Sequence, residues 1–167
     1  EFLPLRGLHY SREYARPTVY APPYDVINPD QQQQYLACDP YNVVRLILGP
    51  RPDDQEWHAE AAATLRAWAS QGVLVRDPTP RFYGYQQHFA LPGGPMHVRT
   101  GCIGRMRLCA WREGVFRHEH TRTGPRLDRL RLTRATRMNL SPVFGLYRDP
   151  SGELARWLEP PARPVLD

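Results

Sequence analysis

The sequence contains no lysine, and all 22 of its basic residues are arginine. It also has no apolar run approaching the roughly 20 residues that a membrane-spanning helix needs. Its first residues do not form the basic, then apolar pattern of a signal peptide. These absences predict a cytoplasmic protein that does not span a membrane.

Cysteine is scarce, and several familiar motifs are missing. Cys38, Cys102 and Cys109 are odd in number and lack the C-x-x-C spacing of a zinc ribbon or a redox pair. We therefore expect them to be small buried residues. There is no G-x-S-x-G, no Walker sequence and no G-x-G-x-x-G, so nothing supports a serine nucleophile or a common nucleotide-binding fold.

The composition is otherwise that of a globular protein. Of the 167 residues, 41% are hydrophobic and 23% are charged, which makes wholesale disorder unexpected. The net charge is +5, and ten of the 22 arginines fall between Arg105 and Arg137. Guanidinium groups bind phosphate or carboxylate oxygens in pairs, and nucleic acid is the other partner that such a cluster permits. The alternative without a functional role is that the arginine content reflects genomic base composition.

Hydrophobic period and turn residues predict an alternation of helices and strands. We expect a short strand within residues 1–20, helices at 29–38, 52–72, 124–138 and 153–158, a buried strand at 42–48, further strands at 73–76 and 143–147, and a hairpin of 82–89 and 98–108 around Pro92-Gly93-Gly94-Pro95. This order predicts an α+β fold with a mixed sheet, an antiparallel meander and three to four helices. Residues 1–159 would form a single domain, and the proline-rich residues 160–167 a linker into further chain.

Titratable groups and hydroxyls gather before the 124–138 helix. His118 and Glu119 could carry out general acid–base chemistry, while Thr121 and Thr123 could donate hydrogen bonds to an anion at the helix start. His118 and His120 would lie on one face of a strand, as in some metal sites, although a third and a fourth ligand are not evident. The alternative is a capped connection beside a solvated arginine face.

Two earlier residues are further candidates. Arg45 interrupts an apolar run, where a buried guanidinium needs a partner or an anion. Asp25 follows two prolines in a rigid segment, and it is either a turn residue or a general base.

Five segments resemble a large prokaryotic family of unknown function, numbered 1015. They are APPYDVI (21–27), DPYNVVRL (39–46), GVLVRDP (72–78), HEHT (118–121) and GPRLDRL followed by NLSPVFGLY (124–130 and 139–147). The resemblance covers nearly all of the chain in order, and it is to the N-terminal part of longer members. Their other half carries a D-G-H-H-R-Y segment that is similar to the phosphate-binding turn of the ParB, sulfiredoxin and free-serine-kinase superfamily, and that segment is absent here. Where members often have Arg, this chain has His120, and where they have Lys it has Arg126.

The resemblance implies a phosphotransferase-like site for a small-molecule anion or nucleotide, with ATP or ADP and Mg as possible cofactors. Asp25 and Glu119 would be bases, and Arg126 and Arg129 would be phosphate ligands. The matching segments add Tyr24, Asp128, Asn139 and Ser141 as ligand-binding candidates. The competing hypotheses are a nucleic-acid-binding module and a structural or docking module without catalysis. An apolar patch exposed in this piece could also lead to a homodimer.

Overall fold

The computed structural model describes residues 1–49, 56–118 and 120–158. The chain divides into two compact units. Unit 1 comprises Glu1–Gly7, Arg76–Phe116 and Phe144–Asp167, and unit 2 comprises Leu8–Val75 and Arg117–Val143. The expected single domain over residues 1–159 stays a prediction, and the expected linker at 160–167 lies outside the described residues.

Helices and small antiparallel strand pairs together confirm the α+β class. In chain order the described elements are β1 (Phe2–Leu3), β2 (Leu8–Tyr10), α1 (Pro29–Cys38), α2 (Val44–Ile47), α3 (Trp57–Ser70), β3 (Leu74–Arg76), β4 (Tyr83–Ala90), β5 (Met96–Ile103), β6 (Arg105–Met106), α4 (Thr123–Thr136) and α5 (Glu153–Trp157), with short 3-10 turns at Pro17–Val19 and Tyr24–Val26. The strands pair as β1 with β6, β2 with β3, and β4 with β5. The predicted beginning of the third helix, at residues 52–54, lies outside the described residues.

The hairpin of unit 1 forms where the sequence predicts it. Strands β4 and β5 run antiparallel, from the pair Tyr83 and Ile103 to the pair Ala90 and Met96. In the connection, Gly93 has a φ of 72° and the Gly94 N–H donates to the Leu91 carbonyl over 2.9 Å. Glycine adopts a left-handed backbone conformation at little cost, so Gly93 allows the chain to reverse there.

The hydrophobic core lies in unit 2 and is organised around α3. Leu65 and Trp68 on this helix join Leu46, Val19 and Val73 in the main cluster of buried side chains. A second cluster contains Trp57, Ala61 and Leu132, which links α3 to α4. The three- and four-residue spacing of the α3 side chains places them on one face, as the sequence predicts.

The predicted strand at 42–48 is wrong, because Val44–Ile47 forms the short helix α2. The Asn42 side chain accepts a hydrogen bond from the Val44 N–H over 2.9 Å and donates to the carbonyls of Thr18 (2.8 Å) and Tyr20 (3.0 Å). Asn42 is fully buried, so these bonds hold the chain in a turn. Tertiary contacts of this kind override the β propensity of a short apolar run.

Two other expectations about strands are also wrong. Residues 143–147 have no regular secondary structure, and Val143 and Leu146 are 98% and 90% exposed. His118 and His120 lie in irregular chain rather than on a strand. An apolar run becomes a strand only when a neighbouring edge accepts its backbone hydrogen bonds, and sequence period does not reveal that partner.

The cysteines differ from expectation as well. Cys38 and Cys109 are exposed, and only Cys102 is partly buried. Burial raises the pKa of the Cys102 thiol. Cys38 is the last residue of α1 and Cys109 lies in irregular chain, where few neighbours are available to cover a small side chain.

Helix α1 begins with a capping box, which makes a direct test possible. The Asn28 side chain accepts from the Gln31 N–H over 2.8 Å, and Gln31 Oε1 accepts from the Asn28 N–H over 3.0 Å. Replacing Asn28 with Ala should lower the free energy of unfolding by about 1 kcal/mol, measured by urea denaturation. The exposed Gln34→Ala on the same helix should cost much less, and equal losses would contradict the capping role.

Candidate functional site

Arg129 lies at the centre of a polar cluster in unit 2. Its guanidinium carbon is 3.9 Å from the centroid of the Tyr24 ring and 5.6 Å from that of Trp57. Its Nε donates to Asp128 Oδ2 over 2.9 Å, its Nη2 also donates to that oxygen, and its Nη1 donates to the Ile47 carbonyl over 2.7 Å. The guanidinium is therefore held on one face and along two edges.

Asp128 joins this arginine to a buried histidine. The other carboxylate oxygen of Asp128, Oδ1, lies 2.9 Å from His58 Nε2. The His58 side chain is 8% exposed, and its ring lies 4.3 Å from that of Trp57. A histidine from α3 and an arginine from α4 thus share one carboxylate.

Residue spacing on α4 and close packing at the start of α3 bring these side chains together. On α4, Asp128, Leu132 and Thr136 follow at steps of four, so that they lie on the face that packs against α3. Trp57 begins α3 and packs over Gly49, where an added Cβ would lie 2.5 Å from its ring. A larger residue at Gly49 would displace Trp57 and, with it, one wall of the cluster.

The charges in the cluster favour an ionised carboxylate. Burial raises the pKa of Asp128, but the hydrogen bonds and charges of Arg129 and His58 outweigh it and lower the pKa overall. Arg129 donates three hydrogen bonds within the described residues, and a guanidinium has five N–H groups, so two remain unengaged there. The cluster can therefore offer an anion a fixed donor while it keeps its own carboxylate charged.

Among the other candidates from the sequence, Arg45 is partly buried and the rest of those that the structure describes are exposed. Arg45 Nη2 donates to the Leu36 carbonyl over 2.7 Å, and its buried Nε has no hydrogen-bond partner among the residues that the structure describes. Asp25 is exposed within the 3-10 turn that carries Tyr24. The remaining described candidates are all exposed: His118, His120, Thr121, Arg126, Asn139 and Ser141. Glu119 lies outside the described residues.

The structure thus brings together Tyr24, Asp128 and Arg129 from the predicted set. It adds Trp57 and His58, which the sequence pattern assigned to a core-packing helix. One signal could have singled out His58, since it is the imidazole at the start of an otherwise alanine-rich helix. Nothing in the sequence pairs it with Asp128, which is 70 residues away.

The metal hypothesis for His118 and His120 finds no further ligands. Within residues 1–49, 56–118 and 120–158, no three His, Cys, Asp or Glu side chains are grouped so that they could hold a metal ion. No helix in the same part of the chain is both long enough and apolar enough to cross a bilayer.

The chain is thus an α+β protein with an arginine, carboxylate and histidine cluster between its helices. It belongs to the family described as protein of unknown function DUF1015, whose pattern matches residues 2–167. Neither a curated protein nor a solved structure matches the chain. The family match over residues 2–167 confirms the family membership that the sequence segments predict.

Proposed function

We propose that this chain is the N-terminal part of a small-molecule kinase or phosphotransferase-like protein, and that Arg129 helps to hold the phosphate of a metabolite or nucleotide. The fixed guanidinium is the observation that carries this proposal. Its side chain is 19% exposed, and two of its N–H groups remain for phosphate oxygens. Because Asp128 and Tyr24 already orient the fork, binding an anion would cost little side-chain entropy.

The chemistry assigned to the site follows from the resemblance to the ParB, sulfiredoxin and free-serine-kinase superfamily, which is part of this proposal. Asp25 or Glu119 would accept the proton of a substrate hydroxyl, and arginine would neutralise the charge on the transferring phosphoryl group. Positioning and charge neutralisation supply most of the catalysis in phosphoryl transfer. Asp128 would act through its neighbours, as the group that positions Arg129 and His58.

A nucleotide cofactor would bring Mg²⁺ with it. Magnesium is commonly bound by one or two carboxylates together with substrate phosphates, rather than by a cage of protein ligands. Asp128 is engaged by Arg129 and His58, whereas Asp25 is exposed beside Tyr24 and has no hydrogen bond or ion pair within the described chain. In this role Asp25 would hold an ion that offsets phosphate charge, and Glu119 would then be the base.

A structural role is the competing function, and a specific observation favours it. Three of the five Arg129 N–H groups are committed inside the protein. Two donate to Asp128 on α4 itself, and the third donates to the Ile47 carbonyl and so connects α4 to α2. On this view the cluster fastens helices and binds nothing. The two functions differ in whether a ligand changes the stability of the folded protein.

Thermal unfolding in the presence of ligands tests the proposal. With ADP, ATP and Mg²⁺, phosphoserine or inorganic phosphate in turn, at least one ligand should raise the melting temperature of the wild type, because binding to the folded state stabilises it. In Arg129→Lys, which keeps the charge but loses the planar fork, that ligand-induced rise should largely disappear. Each variant is compared with its own unliganded melting temperature.

The exposed Arg66→Lys on α3 is the matched control, and its ligand-induced rise should equal that of the wild type. A rise that survives in Arg129→Lys would place the ligand elsewhere. If no ligand changes the melting temperature of the wild type, the phosphate-binding role is wrong and the structural role stands.

A further inference from the structure

The outward half of α4 carries arginine as its only charged residue type. Five arginines in or beside this helix are exposed: Arg122, Arg126, Arg131, Arg134 and Arg137. No hydrogen bond or ion pair engages their side chains in the part of the chain that the structure describes. The one acidic residue of the helix, Asp128, points inward to Arg129 and His58.

Helical geometry places these arginines on a continuous surface, which we call the α4 arginine face. At 3.6 residues per turn, Arg126, Arg131 and Arg134 fall within less than half of the helix circumference, opposite the buried Leu132 and Thr136, and Arg122 and Arg137 flank the two ends of the helix. The 14 residues of α4 span about 21 Å, a length that covers several phosphates of a nucleic acid strand. At the C-terminal end, Thr133, Arg134 and Arg137 line an open hollow.

We propose that the α4 arginine face binds the phosphate backbone of a nucleic acid without reading its sequence. Charge complementarity is the argument, since five unpaired guanidinium groups face solvent with no carboxylate among them. Guanidinium forks match phosphate oxygens in pairs. The face has no aromatic residue on which a base could stack, so the contacts are electrostatic and independent of sequence.

This surface is distinct from the Arg129 cluster, which lies on the inward side of the same helix. The two proposals therefore stand or fall separately. A small phosphorylated ligand at Arg129 would be insensitive to the outward arginines. Nucleic acid on the outward face would bind whether or not Arg129 holds a phosphate.

Fluorescence anisotropy with labelled oligouridylate of about 20 nucleotides is the measurement, repeated between about 50 and 200 mM salt. Each arginine in contact with a single strand contributes about 0.7 to the slope of log K against log salt, so five contacts give a slope of about −3.5. The triple variant Arg131→Gln, Arg134→Gln and Arg137→Gly should bind at least about tenfold more weakly at low salt, with a slope near −1.4.

The substitution at Arg137 separates binding from folding. Arg137 ends α4 in the left-handed region, with a φ of 57°, which glycine adopts more readily than arginine. The Arg137→Gly change therefore removes a guanidinium without straining the helix end. Melting temperature, measured alongside, should show that the triple variant remains folded.

A second triple variant controls for net charge. Arg12→Gln, Arg66→Gln and Arg148→Gln removes three exposed arginines from other parts of the surface, and it should bind like the wild type. An equal loss of affinity in both triple variants would mean that overall net charge determines binding, and it would overturn the proposal. Failure of the wild type to bind at low salt, or binding to phosphatidylserine vesicles in place of RNA, would overturn it as well.

Discussion

Replacing Asp128 with Ala should lower the free energy of unfolding by about 2 to 3 kcal/mol. The change removes the carboxylate that lies 2.9 Å from Nε2 of His58, whose side chain is 8% exposed, and two of the three hydrogen bonds of Arg129. Breaking a fully buried charge pair costs about 3 to 5 kcal/mol, because the remaining charge loses both water and its partner. Asp128 itself is 31% exposed, so solvent recovers part of that cost.

Urea denaturation of the variant at neutral pH gives the measurement, and Asp128→Asn separates shape from charge. Asn keeps one oxygen for Arg129 but cannot carry the negative charge, so its loss of stability should lie between zero and that of Ala. Glu60→Ala, at an exposed acidic position on α3, provides a control for a lost carboxylate. A loss in Asp128→Ala no larger than that in Glu60→Ala would mean that the cluster does not hold the helices together.

The parts of the fold that the sequence predicts correctly are those that local signals specify. Asn28 and Pro29 start α1 through the capping box, and Pro92-Gly93-Gly94-Pro95 turns the hairpin. The spacing of apolar side chains on α3 predicts its buried face. In each case the information lies within a few residues, and the physical contact that it describes is equally short in range.

The errors occur where distant contacts decide the structure. Residues 42–48 have strand propensity, but the buried Asn42 bonds to Thr18 and Tyr20, more than 20 residues earlier, and the chain turns into α2. Residues 143–147 have the same propensity, yet they form no regular secondary structure. Propensity describes what a segment tolerates, whereas its partners determine what it becomes.

The candidate site also combines residues that the sequence indicates with residues that only distant contacts bring in. The resemblance and the residue types indicate Tyr24, Asp128 and Arg129, which meet in space although Tyr24 is far from the other two in sequence. His58 and Trp57 complete the cluster through the packing of α3 against α4, a contact that sequence period does not specify. The residue types in a sequence therefore indicate the chemistry of a site more readily than they indicate all of its residues.

A second carboxylate, Asp39, forms hydrogen bonds to Arg16, Thr18 and Tyr41 within unit 2, and it should make the stability of the protein depend on pH. Asp39 is 4% exposed, and it accepts hydrogen bonds from Arg16 Nε (2.7 Å), Arg16 Nη2 (3.0 Å), Thr18 Oγ1 (2.7 Å) and the Tyr41 N–H (2.8 Å). The Arg16 hydrogen bonds, against the effect of burial and together with those from Tyr41 and Thr18, lower the pKa of Asp39 to about 2. The folded state therefore stabilises the ionised Asp39 carboxylate more than the unfolded chain does.

Asp39→Asn should accordingly cost about 2 kcal/mol at neutral pH, where the lost interactions are hydrogen bonds to a charged acceptor. Arg16 is 40% exposed, which screens its share of the effect. Because the folded pKa lies below the ordinary value of 3.8, the contribution of the carboxylate is complete above about pH 4 and is lost as the pH falls towards about 2. The difference in unfolding free energy between wild type and variant should shrink over that window.

Urea denaturation of both proteins at several values of pH tests the sign. Other carboxylates, Asp128 included, titrate in both proteins, so their contributions cancel in the difference. A difference that stays constant from neutral pH down to about pH 2 would mean that the shape of the Asp39 side chain matters and its charge does not. A difference that grows as the pH falls would contradict the lowered pKa, because it would require the protonated acid to be the form that the folded state prefers.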